Sequence, residues 1–142
     1  MHTGLGPNGH GEHIFAGHAD DAAALARCRA WWGDRKVTSF YDGSSTSAVI
    51  SGMMFQCAYQ ECPQAEYTGI ALEYGTEPLM AVIDALRADQ WLENHPQTDA
   101  ATRAAIKQQV FAAFCTDSDT WRAQVLDQGI TSVRAALQGL AD

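Results

Sequence analysis

The sequence predicts an α/β fold, and three observations carry that reading. Ile70-Ala71-Leu72, within YTGIALEYGT, is apolar without alternation, as in a strand covered on both faces. Directly after it, Leu79, Val82, Ile83 and Leu86 recur at helical spacing and form a core-facing stripe. Two further short strands, Ile14-Phe15-Ala16 and Val37 to Tyr41, stand among four or five helical stretches.

The elements follow in order. Residues 1–13 read as a loop, because Gly4, Gly6, Pro7, Asn8, Gly9 and Gly11 come in close succession. After the first strand, Ala19 to Trp32 reads as a helix, with Asp20 and Asp21 favourable at its positive N-terminal end. Gly33 and Asp34 stop it. The second strand leads into the polar turn Asp42 to Ser47, where Ser47 or a neighbour caps a helix running to about Glu61 and closed by Pro63. In the third strand Glu73 ends the apolar run, and Gly75-Thr76 turns the chain. Pro78 suits a first helical turn, and Asn94-His95-Pro96 ends that helix. Two more helices carry Ile106, Val110 and Phe114, then Trp121, Val125, Val133, Leu137 and Leu140. Three strands among so many helices leave an unpaired edge and an uncovered apolar face, unless a partner chain or further sequence completes the sheet.

Composition bounds the function. At 142 residues the chain suits one domain. A net charge of −8 with nine scattered Lys and Arg disfavours nucleic acid and anionic membrane surfaces. No apolar run approaches the ~20 residues that span a bilayer, and no basic-then-apolar leader is present. The four cysteines, Cys28, Cys57, Cys62 and Cys115, form no CxxC pair. They read as reduced thiols of a cytoplasmic protein ahead of a disulfide framework.

Two places carry possible chemistry. The opening segment holds His2, His10, Glu12, His13 and His18. His10 and His13, with Glu12 or His18, are one way to build a local zinc site. Gly9, Gly11 and Gly17 leave such a loop poorly preorganised, and the competing reading makes His10 and His13 surface or supporting groups. The second place is Glu73. A carboxylate at the end of a buried strand is solvated, paired, or pushed to a raised pKa. Beyond the carboxyl end of a strand it has the position of a general base. The alternatives are an ion pair with an Arg such as Arg87, or capping of a backbone turn.

The stretch HTGLGPNGHGE at the start, with ALEYGT some seventy residues later, resembles an uncharacterised bacterial family. That family lies in the zinc carboxypeptidase superfamily, near succinylglutamate desuccinylase and aspartoacylase. LRADQWLENH, DTWRAQVLDQGI and RAALQGL continue the likeness, so it covers essentially the whole chain and the C-terminal half of the family domain. The resemblance implies the C-terminal part of a mixed sheet flanked by helices. It implies that His2 is the third zinc ligand and that Glu73 is the catalytic Glu. Such a Glu takes a proton from the attacking water and returns it to the leaving amine, while zinc polarises the scissile carbonyl. His10, Glu12 and Thr76 are candidates for supporting or substrate-side positions. The substrate implied is a small peptide or an N-acyl amino acid.

The departures shape the expectation. The other two zinc ligands of the superfamily come from an upstream HxxE motif, and no HxxE occurs in this sequence. One ligand holds no catalytic zinc. The chain is therefore expected to be the C-terminal portion of a zinc-dependent peptide or amide hydrolase, inactive and without tightly bound zinc when isolated. It would be a fragment or one piece of a split enzyme, paired with a missing N-terminal half. The alternative is a non-catalytic assembly or binding module, a homo-oligomer or a partner of an upstream-half polypeptide.

Overall fold

A computed structural model describes residues 1–141. Four strands, β1 (His2–Asn8), β2 (Gly11–Phe15), β3 (Val37–Thr38) and β4 (Ile70–Gly75), form one mixed sheet in the order β1-β4-β2-β3. β4 runs parallel to β1 and antiparallel to β2, and β2 runs parallel to β3. Five helices surround it: α1 (Ala22–Trp32), α2 (Cys57–Glu61), α3 (Leu79–Glu93), α4 (Ala100–Phe114) and α5 (Asp119–Gly139).

The pleat of β4 assigns the two faces. Ile70, Leu72 and Tyr74 point one way, toward α1 and α5, where they meet Phe15, Ala24, Cys28 and Val37 on one side and Trp121 on the other. Ala71 and Glu73 point the opposite way. There Ile14, Phe40 and Met53 pack beneath the irregular segment 39–56. The indole of Trp32 donates to the Ser132 carbonyl (2.9 Å), tying α1 to α5, and that of Trp121 donates to the Gly75 carbonyl (3.0 Å). α3 and α4 form a hairpin that packs on β1, with the Phe114 ring against Gly4.

The opening residues are not the loop expected from their glycines. They form β1 and the start of β2, and the glycines mark close approaches inside the sheet. Thr3 lies opposite Tyr74 and Asn8 opposite Gly75, so β1 advances from 3 to 8 while β4 advances from 74 to 75. Gly4 and Gly6, at φ 132° and 94°, let the chain bulge outward between these pairs. The chain then wraps the end of β4: Gly9 N–H donates to the Gly75 carbonyl and Gly75 N–H donates to that of His10, both at 3.0 Å. Gly75 has no room for a side chain, since a Cβ there would lie 2.0 Å from the Pro7 carbonyl oxygen.

A second difference concerns residues 47–61. In place of one helix there is a 3-10 turn at Met54–Gln56 followed by the short α2. Side chains explain it. Ser44 Oγ accepts from Ser39 N–H (2.9 Å) and donates to Asp42 Oδ1 (2.6 Å), and Ser45 Oγ accepts from Ser47 N–H (3.0 Å). Such local bonds offer the backbone an alternative to helix. The remaining helices match the expected order. Asp21, Asp99 and Ser118 cap α1, α4 and α5, each accepting a backbone N–H three residues on. Among the described residues no helix is long and apolar enough to cross a membrane.

Candidate functional site

The register places three acidic or imidazole side chains in a row across one sheet face. His2 on β1 is the partner of Glu73 on β4, and Glu73 is the partner of Glu12 on β2. Partnered residues share a face, so the row runs His2–Glu73–Glu12. It lies on the side covered by segment 39–56, away from α1 and α5.

Glu73 is 8% exposed. One carboxylate oxygen, Oε1, accepts from the Leu5 N–H of the β1 bulge (3.2 Å). Burial pushes its pKa above the usual carboxylate value, and the Glu12 charge adds to that. The Leu5 bond and His2 act against it, and burial prevails. Of the alternatives left open by the sequence, Arg87 is excluded, because it pairs with Asp84. The contact to Leu5 is a form of backbone capping.

Glu12 is shifted the other way. Burial alone would raise it, but hydrogen bonds from Thr38 and Thr46 outweigh burial and hold the pKa below the usual value. Thr38 Oγ1 donates to Oε1 at 2.5 Å, and Thr46 donates through both its hydroxyl and its N–H. Two carboxylates on one face are thus driven apart, Glu12 toward the anion and Glu73 toward the acid.

A groove of about 460 Å³ opens at the carboxyl ends of β1 and β4, lined by Leu5, Pro7, Asn8, Thr46, Thr76 and Leu79 among others. Ligands of open α/β sheets bind at such ends. Thr76 lines it, with its hydroxyl engaged by the Ala113 carbonyl (2.7 Å). Asn8 Nδ2 donates to the Thr76 carbonyl and to Thr116 Oγ1, both at 2.8 Å, which fixes the groove's outer wall.

The other histidines are not brought to this row. His10 and His13 line a groove with Arg35 and Lys36 that reaches only Glu12 of the row. His13 points to the opposite sheet face from Glu12, and burial together with Lys36 depresses its pKa. His18 stacks on Tyr59 with ring centroids 4.0 Å apart. The local zinc site considered for His10, Glu12, His13 and His18 therefore does not assemble, and among the described residues no three His, Cys, Asp or Glu groups come together as metal ligands. His2 and its two carboxylate neighbours share a sheet face without coming together as a three-ligand metal site.

Sequence reasoning missed Thr38, Thr46 and the Leu5 N–H as the groups that tune the two carboxylates. The Ser/Thr-rich turn at 44–47 was the available signal for Thr46. The Leu5 contact depends on a bulge that no local pattern announces.

A family model described as a protein of unknown function, DUF2817, matches residues 1–128. No curated protein and no solved structure matches the chain. The chain belongs to the DUF2817 family of proteins of unknown function.

Proposed function

We propose that this chain is the C-terminal portion of a zinc-dependent, carboxypeptidase-like hydrolase that cleaves a peptide or amide bond near a terminal carboxylate. The observation that carries the reading is the pairing of His2 with Glu73 across adjacent strand ends. The HTGLGP and LEYGT motifs, which hold these two residues, support a place in the zinc carboxypeptidase superfamily. The substrate class is a small peptide or N-acyl amino acid, and four free cysteines support a cytoplasmic setting.

In this reading His2 is one zinc ligand, and the other ligands lie outside the described residues. The metal, when bound, polarises the carbonyl. Glu73 handles the proton. Its Oε1 is held by Leu5, which leaves Oε2 for water, and its raised proton affinity suits it to accept a proton and then release it. Water supplies the oxygen of the new C–O bond, the C–N bond breaks, and the proton taken by Glu73 ends on the leaving amine. Glu12 stays anionic and raises the proton affinity of the Glu73 carboxylate.

Zinc content and hydrolysis of N-acyl amino acids test this on two samples. The 142-residue chain alone is expected to carry well under one zinc and to show no turnover. The gene product isolated from its own host is expected to carry one zinc per site and to turn over. Tight zinc with turnover in the 142 residues would overturn the requirement for outside ligands. A host product with neither would overturn the hydrolase reading.

A further inference from the structure

α5 carries two apolar faces, and only one of them is used. Trp121, Gly129 and Ser132 are buried against the protein. Leu126, Ile130, Val133, Leu137 and Leu140 are exposed, Leu126 at 64% and Leu137 at 62%. Their spacing of four, three, four and three residues is the heptad repeat of a coiled-coil seam. At 3.6 residues per turn this stripe lies ~120° around the helix from the buried face, so a second helix laid on it clears the body of the protein. A groove of about 520 Å³ runs beside the stripe, floored by Val125, Gly129 and Met1.

We propose that this stripe is the interface for a second copy of the chain, packed as an antiparallel two-fold pair of α5 helices. The seam is self-complementary in that arrangement. Leu126 meets Leu137 of the second copy, Ile130 meets Val133, and Ala123 meets Leu140, each contact occurring twice by symmetry. The charges agree with the same register. Asp127 and Arg134 flank the seam on its solvent side, and neither makes an ion pair among the described residues. The antiparallel register sets Asp127 of each copy beside Arg134 of the other. A parallel pair would instead set Arg134 beside Gly129, and Asp127 beside an Arg122 already engaged by Asp117 and Asp119. The stripe belongs to α5, whose buried face packs on the Leu72–Tyr74 side of the sheet.

Sedimentation equilibrium of the chain and of charge-reversed variants tests the proposal. The unaltered chain is expected to dimerise at micromolar concentration. Asp127→Arg and Arg134→Asp each create two like-charge contacts and should weaken the dimer by at least ~10-fold. An equimolar mixture of the two variants restores both opposite-charge contacts and should recover most of the lost affinity as a heterodimer. Far-UV circular dichroism confirms that each variant is folded. A monomeric wild-type chain overturns the proposal, whether the stripe stays bare or another polypeptide covers it. A dimer indifferent to both reversals, or a mixture that does not recover, overturns it as well.

Discussion

His2 and Glu73 are direct partners on the parallel strands β1 and β4, from opposite halves of the chain. The end of β4 secures the relationship: Gly75 admits the Gly6–Pro7 backbone within a distance no Cβ would permit. The bulge this allows brings the Leu5 N–H to Glu73. The candidate site is thus built by backbone approach more than by side-chain packing.

Gly75→Ala tests that construction. Its Cβ would collide with two backbone carbonyls, which cannot swing aside as a side chain tip can. A loss of about 3 kcal/mol is expected, read as a fall in denaturant midpoint. Gly43→Ala is the comparison, because Gly43 has a positive φ but open space around it. Its cost should be about 1 kcal/mol. Equal costs at the two positions would mean that the Gly75 contact does not matter.

Glu73→Gln should stabilise the fold. Burial raises the carboxyl pKa above its unfolded value, so the native state favours the protonated form. The stability tied to protonation is fully present below the unfolded pKa and is lost as pH rises through the folded one. At pH 7 the Gln variant should therefore gain on the order of 1 kcal/mol over wild type, and the gain should vanish near pH 4. Thermal melts at both pH values check it, and a variant less stable at pH 7 would contradict the account.

Glu12 behaves in the opposite sense. Its hydrogen bonds from Thr38 and Thr46 outweigh burial and depress its pKa, so its contribution is present above the unfolded value and is lost as pH falls through the folded value. Glu12→Gln should cost about 1–2 kcal/mol at pH 7, with the difference from wild type shrinking below pH 4. Chemical denaturation across that range measures it.

Cys28 should be the last thiol to react. It is fully buried on the inner face of α1, and burial pushes its pKa up to about 11. Cys57 and Cys62 are exposed. Alkylation at pH 8 followed by peptide mapping should label these two first, and Cys28 only after unfolding. Early labelling of Cys28 would mean that the α1 face opens readily.

The periodic parts of the chain are legible in the order of residues alone. The spacing of Leu79, Val82, Ile83 and Leu86 announces α3, but not its core-facing side: Leu79 and Leu86 are exposed, and Val82, Ala85 and Leu92 are the residues α3 buries. Ile70-Ala71-Leu72 announces β4 because both its faces are covered. β1 is not legible, since Gly4 approaches Phe114 and the Gly6–Pro7 backbone approaches Gly75, while locally these glycines look like turn formers. The polar residues at 42–47 likewise hide a lid over Glu12 behind what reads as a helix cap. Glu73 is visible as an isolated carboxylate at a strand end. Its partnership with Glu12 is not, because strand order is a tertiary fact.

The most direct test of the central claim is the effect of Glu73→Gln on the zinc-loaded gene product from its own host. Metal content and hydrolysis of an N-acyl amino acid are measured side by side. The account predicts that zinc is retained while turnover falls by at least ~10²-fold, the typical contribution of a positioned general base. Turnover within a few fold of wild type, with zinc still bound, would contradict it.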